Sequence, residues 1–111
     1  MRESNITIKV KLDDENVPET ILWDADDKGA KGAADTKALS VALWDENLRN
    51  TLRIDLWTKE MPVDEMKQFY IESIGGLGQS ILSATGDEYM AGEISALCDR
   101  LVKHVQEENK G

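Results

Sequence analysis

A chain of 111 residues that is 41% hydrophobic is long enough for one buried core and too short for two, so a single domain over residues 1–111 is expected. Thirteen basic against 22 acidic residues leave a formal charge of −9, divided as 9 against 13 in residues 1–60 and 4 against 9 in residues 61–111. Neither half has the clustered Lys and Arg that phosphate tracking needs, which argues against nucleic acid as a partner. The single Cys98 leaves no internal disulfide, no run of 18 apolar residues exists to insert in a membrane, and MRESNITIKV lacks the apolar core of a secretory signal; a cytoplasmic protein without direct membrane insertion is the expectation.

Ile6, Ile8, Val10 and Leu12 alternate with Thr7, Lys9 and Lys11, the period of a half-buried strand, and residues 13–18 interrupt it with acidic side chains and Pro18. Ile21, Trp23 and Ala25 resume the alternation. Residues 26–34 hold two glycines, three alanines and four charged residues without a period, so a mobile loop is expected there. Leu39, Val41 and Leu43 form one face of a third strand, and Leu52, Ile54 and Leu56 one face of a fourth, with residues 45–50 as a hairpin loop. Pairing Leu43 with Leu52, Val41 with Ile54 and Leu39 with Leu56 brings the two apolar sets to one side. Ala38, Ser40, Ala42 and Trp44 then share the other side with Arg53, Asp55 and Trp57.

Pro62 ends the strands and suits a helix start, with Asp64 and Glu65 at the positive end of the dipole. Val63, Met66, Tyr70, Ile74, Leu77, Ile81 and Ala84 step by three and four, which predicts an amphipathic helix. Thr85 to Glu88 has the spacing of a capping box, and Met90, Ile94, Leu97, Cys98, Leu101 and Val105 form the stripe of a second helix. The ends, 1–4 and 106–111, are expected to fray. The fold class is therefore α+β: a four-stranded antiparallel meander followed by a two-helix antiparallel hairpin packed on one face, in the order ββββαα. That order is similar to the topology of the SecB-type export chaperones, a likeness of architecture without a motif.

Candidate chemistry is sparse. Asp24, Asp26, Gly29 and Asp35 fall at positions one, three, six and twelve of a calcium loop, but Lys28 stands at position five, Asp35 is too short for the bidentate position and the flanks are strands. Gly75, Gly76 and Gly78 lie within a helical stripe rather than between a strand and a helix start, so they point to close packing or a bend and not to a phosphate site. Cys98 and His104 lie about 240° apart around one helix and do not form a nucleophile and base. No metal, no cofactor and no enzymatic activity are expected. The strongest feature is the second sheet face, where Trp44 and Trp57 with Arg53, Asp55 and neighbouring Leu22 form the candidate interaction surface.

Two blocks, NTLRIDLWTKEMPVDEM at 50–66 and ATGDEYMAG at 84–92, with support from VPETILWDAD at 17–26, resemble the GldC family of gliding-motility proteins. The resemblance implies a small cytoplasmic, non-enzymatic accessory of gliding that acts through contacts with other gliding proteins, a membrane lipoprotein reached indirectly among them; the tryptophan-bearing sheet face or the edge strands are expected to make the chain a homo-oligomer or to dock a partner. The alternative from a different class is a SecB-like holdase for unfolded or exported chains, distinguished by binding unfolded chains in general rather than one partner.

Overall fold

Alternation of apolar and polar residues closes the first hairpin. In the computed structural model, which describes residues 2–29 and 32–110, β1 (Ile6–Leu12) pairs antiparallel with β2 (Pro18–Ala25), Ile8 opposite Trp23 and Val10 opposite Ile21, with a register shift between Lys11 and Leu12. Asp13 organises the turn: its Oδ1 accepts the backbone N–H of Glu15 and Val17 at 2.8 and 3.0 Å, and Asn16 takes a left-handed φ of 64°, a conformation that asparagine tolerates.

The next element corrects the single four-stranded sheet. A three-residue strand, β3 (Ala34–Thr36), pairs with β2 at Ile21, Leu22 and Trp23. It occupies the edge of β2 that a meander would have offered to the following strand. β4 (Ala38–Asp45) therefore begins a separate sheet with β5 (Asn50–Trp57), and the strands divide into β1-β2-β3 and β4-β5. Among the described residues the order is five strands and then two helices. Within β4–β5 the register is Leu39↔Leu56, Val41↔Ile54 and Leu43↔Leu52, the pairing that the two apolar sets require. Asp45 closes the ribbon, its Oδ1 accepting from the backbone of Asn47 and Leu48 at 2.9 and 2.7 Å.

Of the expected loop, the described part carries turns before β3, Ala34 belongs to β3, and Ala30 and Lys31 lie outside the described residues. Arg2 and Ser4, placed among the fraying ends, bond to Asp27 at 3.0 and 2.6 Å. At the other end the helix runs to Lys110.

By its contacts the chain divides into two compact units, residues 1–61 and 62–111. In the first, Ile21 is the fully buried side chain, Ala38 is also buried, and Thr58 is a buried polar residue whose N–H donates to the Lys37 carbonyl at 2.8 Å. On the aliphatic face of the ribbon Leu43, Leu52 and Ile54 are exposed side chains.

The second unit is a hairpin of α1 (Val63–Thr85) and α2 (Glu88–Lys110). Gly86 ends α1 in a left-handed conformation, φ 71°, its N–H donating to the Leu82 carbonyl. That stop moves the cap. Asp87, not Thr85, caps α2, its Oδ1 accepting from Met90 N–H at 3.0 Å, while the Thr85 hydroxyl turns back to the Ile81 carbonyl. The helices meet at Gly78, the buried residue of α1, where an added Cβ would stand 2.9 Å from Ile94 Cγ2. At Gly75 the corresponding neighbour is Cys98 Sγ at 3.8 Å, and Gly76 has nothing within 4 Å. Gly78 is thus the close-packing position, and a Cβ at Gly75 would make ordinary contact.

Candidate functional site

Strand alternation places the candidate surface. On the face of β4–β5 opposite the aliphatic set, the cross-strand pairs are Ala38↔Trp57, Ser40↔Asp55, Ala42↔Arg53 and Trp44↔Thr51. Trp57 and Trp44 therefore stand at the two ends of one face, and both are open, at 46% and 66% exposure. Between them runs a closed polar network. The Ser40 hydroxyl donates to Asp55 Oδ1 at 2.6 Å, and the Arg53 guanidinium donates to Ser40 Oγ at 2.6 Å and to both Asp55 oxygens at 3.0 and 3.2 Å. The Arg53 hydrogen bonds, and after them that of Ser40, hold the Asp55 carboxyl below the usual carboxylate range.

Trp44, Trp57, Arg53 and Asp55 are thus brought together. Leu22 is not among them: it lies in the other sheet, on β2 between Lys9 and Asp35, and is half-buried. Ser40 is the member that the sequence did not single out, although its register opposite Asp55 was readable from the alternation. The face offers two apolar anchors separated by a fixed ion pair, a geometry suited to binding another protein surface.

Asp24 and Asp26, considered for calcium, are engaged otherwise, as is Asp27 between them and Gly29. Asp26 Oδ2 accepts from the backbone and side-chain nitrogens of Asn5, Asp27 holds Arg2 and Ser4, and Asp24 lies 3.5 Å from Lys28, whose ammonium also donates to the Gly32 carbonyl. Lys28 stacks over the Trp23 ring at 5.0 Å. Among the described residues no group of three or more His, Cys, Asp or Glu side chains is placed to hold a metal ion. Half-buried Cys98 packs toward α1, and exposed His104 lies 3.6 Å from Glu108.

Fold and surface together define a small acidic α+β protein with no helix among its described residues long and apolar enough to cross a membrane, and with tryptophans displayed on a sheet face. The chain matches the family described as "Gliding motility-associated protein GldC-like" over residues 18–107, and it belongs to that family. The two sequence blocks at 50–66 and 84–92 both fall inside the match. No curated protein and no solved structure matches the chain.

Proposed function

We propose that this gliding motility-associated chain is a non-enzymatic, cytoplasmic accessory that works by protein–protein contact, with the Trp44–Trp57 face of the β4–β5 ribbon as the contact surface. Its partners in this reading are other gliding components, with a membrane lipoprotein reached through them, and further copies of itself. The exposure of both tryptophans on one face, flanking the Ser40–Arg53–Asp55 network, carries the reading. Truncating a tryptophan anchor typically costs about 2 kcal/mol or more, about thirtyfold in affinity.

Cells whose sole copy carries Trp44→Ala with Trp57→Ala should therefore lose gliding, while the purified variant keeps its circular dichroism and shifts in sedimentation toward the monomer. Parental gliding by that strain would remove the face from the function. Unfolding of the variant would make the tryptophans structural instead. The holdase alternative draws on apolar side chains displayed elsewhere, Ile6, Leu48 and Tyr89 among them. It requires the protein to suppress aggregation of an unrelated denatured chain, whereas the accessory reading requires selectivity.

A further inference from the structure

The apolar stripe read from the sequence of α1 is centred away from the residues of α1 that line the cavities beside α2. Two cavities, about 320 and 350 Å³, lie along the hairpin. The first is lined by Gly75, Gly78 and Leu82 of α1 with Ala91, Ile94 and Cys98 of α2, and the second by Gln68 and Ile71 with Val102 and Val105. At 3.6 residues per turn all of these fall on one side of each helix, so the cavities are successive parts of one groove. Met66, Tyr70 and Leu77 fall on the far side of α1, and Ile74 and Ile81, four residues before and three after Gly78, border the seam; none of the five lines either cavity. The groove floor is apolar and open, with Leu82 45% and Val102 42% exposed.

Charge decides what fits. Asp64, Glu72 and Asp99 are the charged residues that line the groove, and no Lys or Arg lines either cavity. Lys67 is drawn to Glu108 at 2.8 Å, and neither of them lines the groove. A second copy seated groove to groove would set Asp64, Glu72 and Asp99 against their own counterparts, which is repulsive. From Asp64 to Leu82 the groove follows about 27 Å of helix axis at 1.5 Å per residue, enough for about 18 residues of a third helix, and a seam between two helices is the shape into which a helix ridge packs. We propose that this groove binds an amphipathic helix of a partner protein, with aliphatic residues along one stripe and Lys or Arg beside it. The inference deepens the reading of the chain as a contact protein and supplies a second surface, on the helical unit.

The test uses the full chain and three labelled synthetic peptides of about 18 residues: an acetylated and amidated Leu/Lys helix with Leu at i, i+3, i+4 and i+7, a scramble of identical composition, and a Leu/Glu counterpart of the first. By fluorescence anisotropy at low salt the Leu/Lys helix should bind about tenfold or more tighter than either other peptide. Val102→Asp and Asp99→Lys should each weaken it, the latter less so at high salt, and Leu77→Asp, on the opposite side, should leave it unchanged. Equal binding of the scramble, indifference to the exposed Asp99→Lys, or equal loss in Leu77→Asp overturns the proposal. A dimer of the chain that Val102→Asp dissociates also overturns it, in favour of a second copy. Because no gliding assay enters, a failed groove and a failed role in gliding are told apart: peptide binding can fail while the tryptophan variant still abolishes gliding, and the reverse.

Discussion

The β4–β5 ribbon and the α1–α2 hairpin are both antiparallel pairs joined by short turns, yet they are specified differently. A strand has two faces, so once Leu39, Val41 and Leu43 share one with Leu52, Ile54 and Leu56, the register follows. A helix has several sides. The apolar stripe of α1 is centred on Met66, Tyr70 and Leu77, but α1 packs against α2 at Gly78, on the flank of that stripe, where the absence of a side chain admits Ile94. Apolar bulk decides pairing in the ribbon; lack of bulk decides it in the hairpin.

The most severe way to break that contrast is to fill the glycine seam. Gly78→Val adds atoms where even a Cβ would lie 2.9 Å from Ile94 Cγ2 and 3.3 Å from its Cβ. Overpacking of this kind costs about 1–3 kcal/mol, more than the improved helix propensity returns, so a urea titration should show a lower midpoint. Gly76→Ala, with open space around it, should instead raise stability by up to about 1 kcal/mol, since glycine is that much poorer than alanine in a helix. If both glycines respond alike, the seam is not where the helices meet.

A somewhat smaller effect separates the two candidate caps between the helices. Asp87→Ala removes the acceptor for Met90 N–H and should cost about 1 kcal/mol, the usual worth of an N-cap. Thr85→Ala should cost less, because its hydroxyl serves the Ile81 carbonyl and the Asp87 N–H at the end of α1. Thermal melts of the two variants should rank in that order.

The smallest effect is electrostatic and belongs to the ribbon. Asp55 is held below the ordinary aspartate value by Arg53 and Ser40, so its contribution to stability is fully present above about pH 3.9 and is lost as pH falls through the lower folded value. In Asp55→Asn that part of the acid sensitivity should vanish. The denaturation midpoint followed from about pH 5 to about pH 2 should fall less steeply in the variant than in the parent. Equal slopes would mean that the network is broken in solution. Lys67 holds Glu108 low in the same sense on the hairpin, which supplies a parallel comparison there.

Much of the candidate surface was readable before the structure. Trp44, Trp57, Arg53 and Asp55 share a face because all four follow from one register, whereas no register ties Leu22 to them and it stands in another sheet. The division into two sheets was hidden because β3 is Ala34-Asp35-Thr36, three residues without alternation and poor in the β-branched and aromatic side chains that signal a strand. The cap differs from the sequence pattern for a related reason. Thr85 and Glu88 have the right spacing, but the left-handed Gly86 takes Thr85 into the preceding helix.

What the amino-acid sequence determined by itself is therefore the set of long elements, the register of the β4–β5 ribbon and the family membership that its two blocks anticipated. Those depend on patterns repeated along many consecutive residues. The tertiary structure alone decided which strand takes the edge of β2, which side of α1 faces α2 and which carboxylates rim the resulting groove. Each of those is a choice between residues far apart in the chain, settled by how closely two backbones can approach, and periodicity holds no record of that distance.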